Sequence, residues 1–260
     1  MLANSAGNLA NISLTKLQAM SPPALREHFG VLISEWAVTC GCFALRTEDI
    51  ARSNLEKISS RWPGETLEYP EHFDSTGKFP AHEQFPRRFD IEFIERDDHV
   101  VQSFNGVFIG DRLTDNSHEQ DDYRFHDVFH LAYVAYLGWS PVFRGLLKRK
   151  RKSQRRIDEN EDGARAMIIE EGIATWIFNH ARRFDFYENV EVGKLDYSLL
   201  KQIQSMVEGY EVAKCKLWQW ELAILKGFEV FRLLRQHRGG VVTVDMEEHT
   251  LTFQAHPTIR

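Results

Sequence analysis

The sequence predicts a mostly α-helical α+β protein, with a helical bundle core and two small β-hairpins. Segments in which apolar residues recur at helical spacing occupy most of the 260 residues. Two short segments, 89–104 and 241–254, alternate apolar and polar residues on either side of turn-forming residues, as half-buried hairpins do. Because 43% of the residues are hydrophobic and 18 are Phe, the chain can fill a core.

Two helices are predicted in the first quarter of the chain, after a small, polar and loosely ordered segment at 1–20. Ser21 precedes two prolines, an N-cap followed by first-turn proline, and opens a helix over 23–44. Thr47 is predicted to cap the next helix, 47–60, which carries the acidic residues Glu48 and Asp49 in its first turn. The stretch 64–86 is rich in Pro, His and Gly, so a loop is expected there.

The remaining helices are predicted to form one core over 122–238, which follows the first hairpin in the sequence. Its segments are an apolar helix at 122–137, a short helix to about 149, a long helix at 159–184 and further helical pattern at 196–236. We therefore divide the chain into a helical segment, 1–64, and a second domain, 65–260.

Composition excludes several classes of protein. A net charge of −6 argues against a whole-protein nucleic-acid binder. Three cysteines, an odd number, fit a reducing compartment better than a disulfide framework. The first residues lack the basic start and apolar core of a secretion signal, and no apolar run approaches the ~20 residues that cross a bilayer. We expect a cytoplasmic protein that makes no contact with a membrane.

A candidate metal site follows from two predicted helices. His126 and His130 are four residues apart, so both imidazoles lie on one helical face, among apolar neighbours. Glu170 and Glu171 lie on a second apolar helix, where a buried carboxylate must be paired, hydrogen-bonded or metal-bound. Two imidazoles and one carboxylate form a known transition-metal site. We predict His126, His130 and Glu171 as ligands, with the choice between Glu170 and Glu171 open.

This site predicts a metal-dependent hydrolase. The cofactor would be a divalent ion (zinc, manganese, iron or magnesium) that lowers the pKa of a bound water. Asp127 or the spare glutamate, Glu170, would accept the proton from that water. In the alternative interpretation the same residues form a buried hydrogen-bonded network, in a non-catalytic module that binds a nucleotide or a partner protein.

A basic run indicates a phosphorylated substrate or partner. Seven basic residues occupy the nine positions 148–156, against the negative charge of the whole chain. The predicted phosphate-binding residues are Arg124, Arg144, Lys148, Arg149, Lys150, Arg151 and Lys152. A nucleotide or RNA is the expected partner. The alternative is a solvated connection, balanced by the acidic residues that follow it.

Residues 27–63 resemble the last helices of MazG-type nucleoside triphosphate pyrophosphohydrolases. The matching residues are Glu48, Asp49, Ile50, Ala51, Asn54, Leu55, Lys57, Arg61, Trp62 and Pro63. His28 and Val31 stand where the family has a ligand Glu and a ligand Asp, and magnesium requires such carboxylates. The resemblance implies a truncated, degenerate module whose pyrophosphohydrolase site is lost. It also implies a homo-oligomer, since that fold associates through its helices.

A second resemblance covers residues 85–185. The stretches IGDRLTDN, DDYRFHDVFHLAYVAYLGWSPVFRGLLKRKRKS and EDGARAMIIEEGIATWIFNHA are similar to the domain that follows MazG-type modules in some bacterial proteins. This resemblance implies an architecture, and a substrate related to nucleotides, without implying a particular reaction.

A lesser alternative is a gluzincin-like metallopeptidase. H-x-x-x-H followed by E-G-x-A resembles that class, in which the third ligand is a Glu on a second helix. Asp127 stands at the position of the general base, one methylene shorter than the usual Glu. The apolar edge strand expected directly before the histidine helix is not evident in the sequence, because acidic and polar residues occupy that place.

Overall fold

The structure is a computed structural model that describes residues 2–64, 67–75 and 77–256. The chain divides into two compact units, Met1–Ser59 and Ser60–Arg260. The helices are α1 (Leu2–Ala10), α2 (Leu14–Gln18), α3 (Pro22–Cys42), α4 (Thr47–Arg61), α5 (Asp127–Leu137), α6 (Pro141–Leu146), α7 (Arg155–Asn160), α8 (Ala164–Ala181), α9 (Tyr197–Met206) and α10 (Leu217–His237). The strands are β1 (Arg88–Arg96), β2 (His99–Phe104), β3 (Val107–Leu113), β4 (Gly239–Asp245) and β5 (Thr250–Gln254). The predicted helix-dominated α+β class is confirmed.

The strands form one antiparallel sheet in the order β3-β2-β1-β4-β5, so the prediction of two separate hairpins is wrong in that detail. The hairpins join where β1 pairs with β4, from Arg88 opposite Asp245 to Ile94 opposite Gly239. Gly239 has φ +124°, and a Cβ there would lie 2.5 Å from the carbonyl oxygen of Phe93. Glycine thus permits the close approach of β4 to β1.

The core of the second unit lies between the sheet and the helices. Every residue of α5 is buried, and this helix packs against α10, β4 and β5. A Cβ on Gly227 of α10 would lie 3.2 Å from the Cβ of Ala132 and 3.3 Å from the ring of Phe129. This close packing holds α5, which carries the candidate histidines, in a fixed position.

Three predicted segments differ from the structure. The helix predicted at 159–184 is two helices, α7 and α8, and that at 196–236 is α9 followed by α10. At the first break, a Cβ on Gly163 would lie 2.1 Å from the carbonyl oxygen of Glu159, which only glycine avoids. The segment 1–20, predicted to be loosely ordered, contains α1 and α2, and Ser13 caps the second of these.

The first unit is helical and has little core of its own. Among its described residues, Cys40 is the one buried hydrophobic side chain. Its exposed large apolar residues are Phe29, Val31, Ile33, Val38, Phe43, Leu45, Leu55 and Ile58. No single helix in the described ranges is apolar enough over sufficient length to span a bilayer, although α3 and α4 together satisfy that criterion as a bent pair.

Candidate metal centre

The predicted ligands meet at the start of α5. His126 directly precedes this helix with helical dihedral angles (φ −61°, ψ −25°), so it keeps the expected four-residue relation to His130. Glu171 approaches from α8, which packs against α5. One nitrogen of each imidazole and one oxygen of Glu171 all lie within 4.8 Å of one another. The structure thus brings the three predicted ligands together.

A hydrogen bond orients each imidazole through its Nδ1 atom. Nδ1 of His130 lies 2.8 Å from Oε1 of Glu170, and Nδ1 of His126 lies 2.8 Å from the carbonyl oxygen of Tyr123. Both partners are acceptors, so each Nδ1 donates its hydrogen. In the neutral imidazole, Nε2 then carries a lone pair, the arrangement found in metal-binding histidines.

Glu170 lies behind His130 and is fully buried. Besides the imidazole, it accepts hydrogen bonds from the hydroxyl of Ser140 at 2.6 Å and the backbone N–H of Val142 at 2.8 Å. Both carboxylate oxygens are therefore occupied, and neither faces the other ligands. Glu170 accordingly orients the imidazole of His130, while the proton-accepting role expected of this residue stays a prediction.

Several acceptor atoms converge on the space between the imidazoles. Nε2 of His130 lies 3.5 Å from Oε2 of Glu171, and Nε2 of His126 lies 3.1 Å from Oδ1 of Asp127. The other oxygen of Asp127 accepts a hydrogen bond of 2.8 Å from Gln102 on β2. Nε2 of His130 is buried and has no hydrogen-bond partner in the described structure. Lone pairs and carboxylate oxygens repel one another unless a proton or a cation lies between them.

The electrostatics of this cluster favour the charged forms of His130 and Glu171. Burial lowers the pKa of His130, but the charge of Glu170, the hydrogen bond to it and the nearby charge of Glu171 outweigh that effect, so the pKa stands well above its ordinary value. Burial raises the pKa of Glu171, but His130 outweighs it and the pKa is lowered. A positive charge is therefore favoured between these groups. Two imidazole nitrogens and a carboxylate suit zinc and other divalent transition metals.

A solvent-accessible cavity of about 660 Å³ opens beside the cluster. His126 and Glu171 line it, together with Arg112 from β3, and Asn179 and Arg182 from the end of α8 and just beyond it. The sequence did not indicate either arginine as a site residue, because nothing in its spacing relates 112 or 182 to the histidines. The cavity therefore places two guanidinium groups beside His126 and Glu171.

The aromatic ring of Tyr123 packs against His126. The ring of Tyr123 stacks on that of His126, with centroids 4.2 Å apart and planes at 2°. The hydroxyl of Tyr123 lies 2.7 Å from Oγ1 of Thr175 on α8. Burial raises the pKa of Tyr123 to about 12, so its hydroxyl stays protonated at neutral pH. This contact ties the start of α5 to α8 at the mouth of the cavity.

Two residues of the predicted phosphate-binding set are buried among carboxylates. Arg144 is paired with Asp74 at 2.8 Å. Arg151 is paired with Asp162 at 2.7 Å and with Glu211 at 2.6 Å. Both guanidinium groups are about 1% exposed, so they stabilise the fold around the basic run and are closed to a ligand from solvent.

The other predicted phosphate-binding residues do not line the cavity beside the metal cluster either. Arg124 is buried against Asp115 at 2.7 Å, and Lys150 is paired with Asp158 at 3.2 Å. No residue of the predicted set lines the cavity beside the cluster, as far as the described ranges extend. The cations of the predicted set that remain at least partly exposed without a carboxylate partner in those ranges are Lys148, Arg149 and Lys152. Phosphate binding by these three stays a prediction.

The fold and the site define a helix-dominated α+β domain with a buried histidine–glutamate cluster that opens to a cavity. Residues 68–257 match the MazG C-terminal domain family, and since this is most of the chain, the protein belongs to that family. Comparisons with curated proteins and with solved structures gave no match. The family match excludes residues 27–63, so their resemblance to a pyrophosphohydrolase stays a prediction.

Proposed function

We propose that the protein is a metal-dependent hydrolase that acts on a phosphorylated substrate, a nucleotide or a nucleic acid. His126, His130 and Glu171 would hold one divalent cation. The observation that carries this proposal is the buried, unpartnered Nε2 of His130, which faces Glu171 while Glu170 holds the opposite nitrogen. A purely structural histidine would have partners for both nitrogens.

The surrounding residues have separate roles in this proposal. When bound, the cation would supply Lewis-acid activation of a water molecule. Asp127, oriented by Gln102, is the carboxylate closest to His126 and would accept the proton from that water. Glu170 would keep His130 in the tautomer that leaves Nε2 free.

The phosphate groups of the substrate would bind to Arg112 and Arg182. Both line the cavity beside the ligands, and a guanidinium group donates well to phosphate oxygens. Arg182 is 3.1 Å from Asp121, but its side chain is 41% exposed, so a phosphate group could contact the same guanidinium. The resemblance to domains that follow MazG-type modules supports a nucleotide as the substrate class.

A metallopeptidase is the second candidate, because one structural observation favours it. A strand at the edge of the sheet precedes the histidine segment: β3 ends at Leu113, and residues 114–122 separate it from Tyr123. Residues 111–113 of this strand line the cavity beside His126. An edge strand beside a metal centre is a suitable support for an extended substrate. Activity of the metal-loaded protein toward casein, and none toward nucleotides or RNA, would select this candidate.

Metal analysis of the purified, tag-free protein by plasma mass spectrometry tests the proposal. We expect about one equivalent of zinc, manganese or iron in the wild type, and its loss in His126→Ala/His130→Ala with the helical circular dichroism retained. His82→Ala is the matched control, since the side chain of His82 is 79% exposed. A wild type that stays metal-free after addition of these ions or magnesium would instead favour a structural His/Glu network in a binding module.

We further propose that residues 1–64 are a degenerate MazG-like segment that mediates homo-oligomer formation. The exposed apolar residues of α3 support a second copy as the partner, because Val31 and Val38 are seven residues apart and form an apolar stripe. Val31→Glu/Val38→Glu should convert an oligomer into a monomer in light scattering coupled to gel filtration. Arg26→Glu, at an exposed residue on the opposite face of the same helix, changes the charge by the same amount and serves as the control. A monomeric wild type would contradict this proposal.

A further inference from the structure

Strand β3 has a free edge. It pairs with β2 on one side, where Val107, Phe108 and Ile109 oppose Phe104, Ser103 and Gln102. Among the described residues no strand pairs with its other side. The backbone N–H and C=O groups that point outward from this edge therefore lack strand partners, and such an edge is a template for another extended chain.

A groove of about 860 Å³ runs along this edge. Its first wall is the strand itself, residues 107–111, and its second wall contains Val142, Leu146 and Met167. Successive residues of a strand point to opposite faces of the sheet. Val107, Phe108 and Ile109 are consecutive residues in regular pairing with β2 and all line the groove, so over this part the groove follows the edge of the strand and not one of its faces. The register shifts beyond Ile109, where Gly110 has φ +68°.

The two walls differ in chemistry. The strand offers regularly spaced backbone polar groups over 107–109, while the facing wall contributes the apolar side chains of Val142, Leu146 and Met167. An aliphatic chain would leave the backbone groups of β3 without partners, which is costly once water is excluded. A small aromatic ring would reach too few of them. A polypeptide in extended conformation satisfies the row of backbone groups and places alternate side chains against the apolar wall.

We propose that the groove between β3 and α6 binds an extended peptide segment by strand addition. Val107 and Phe108, 65% and 58% exposed, would contact side chains of that peptide. Lys148, an exposed cation in the lining, favours an acidic residue among them. Asp111 lines both this groove and the metal cavity, so the bound peptide would extend toward the cluster. Binding itself requires no metal ion.

Selection from a phage library of random heptapeptides, against the immobilised full-length protein, tests this proposal. We expect peptides with alternating apolar residues and an acidic residue. Hydrogen exchange with the synthetic peptide should show added protection of backbone amides in 107–111. Phe108→Lys and Leu146→Arg should each weaken binding of the fluorescein-labelled peptide by about tenfold or more. Since Phe108 is exposed, its replacement should leave the fold intact.

Two controls separate this inference from the proposed function. Val192→Lys changes a half-exposed apolar residue outside the groove lining and should leave affinity unchanged. His126→Ala/His130→Ala should also bind the peptide normally, because binding rests on the strand edge. Failure to enrich any peptide, protection outside 107–111, or equal binding by Phe108→Lys would overturn the proposal. Concentration-dependent protection of 107–111 without peptide would overturn it in favour of pairing between two copies.

Discussion

Replacing Glu170 with glutamine is expected to weaken metal binding by about 10–100-fold. Glu170 accepts hydrogen bonds from His130, Ser140 and the backbone of Val142. A glutamine has one acceptor oxygen, so its amide nitrogen would face one of these donors. The imidazole of His130 would then lose its orientation, and Nε2 would no longer be directed at Glu171.

Competition between the protein and a fluorescent zinc chelator measures this effect. Glu208→Gln, at an exposed glutamate, is the matched control and should bind zinc like the wild type. Ser140→Ala removes one of the three donors to Glu170 and should weaken binding less, while it preserves the carboxylate. An unchanged zinc affinity in a folded Glu170→Gln protein would show that Glu170 does not position His130.

Replacing Asp74 with asparagine is expected to lower the free energy of unfolding by about 3–5 kcal/mol. Asp74 is 1% exposed and accepts hydrogen bonds from the backbone N–H of Phe85 and from the guanidinium groups of Arg87 and Arg144. Arg144 is equally buried, so the loss of this carboxylate removes much of the charge that compensates it. Urea denaturation at pH 7 provides the measurement. Asp98→Asn, at a side chain 83% exposed, should change the free energy little.

The lowered pKa of Asp74 also predicts that the free energy of unfolding depends on pH. Burial raises the pKa of Asp74, but the charge of Arg144 and the hydrogen bonds outweigh it, so the pKa lies below its ordinary value of 3.8. A lowered pKa adds stability above that ordinary value, and this stability is lost as the pH falls through the folded-state pKa. The difference in free energy between wild type and Asp74→Asn should therefore shrink below about pH 4. A difference that stays constant from pH 7 to pH 3 would contradict this assignment.

Local patterns in the sequence determined most of the secondary structure. Alternation predicted the strands of both hairpins, and helical spacing predicted α3, α4 and α5 to within a few residues. The four-residue spacing of His126 and His130 also predicted a shared helical face, because the geometry of a helix relates such residues without reference to the rest of the fold. The class of the fold and the candidate ligand set were therefore accessible from sequence.

Tertiary packing decided what depends on residues distant in sequence. Pairing of β1 with β4 joined the hairpins into one sheet, since alternation identifies the buried face of a strand but not its neighbour. The orientation of α8 against α5 directed Glu171 to the ligand cluster and Glu170 to the back of His130. Asp74 and Glu211, 70 and 60 residues away in the chain, pair with the buried Arg144 and Arg151, whose charges alone had suggested solvent or phosphate. In each case the decisive contact is between segments that only the folded chain brings together.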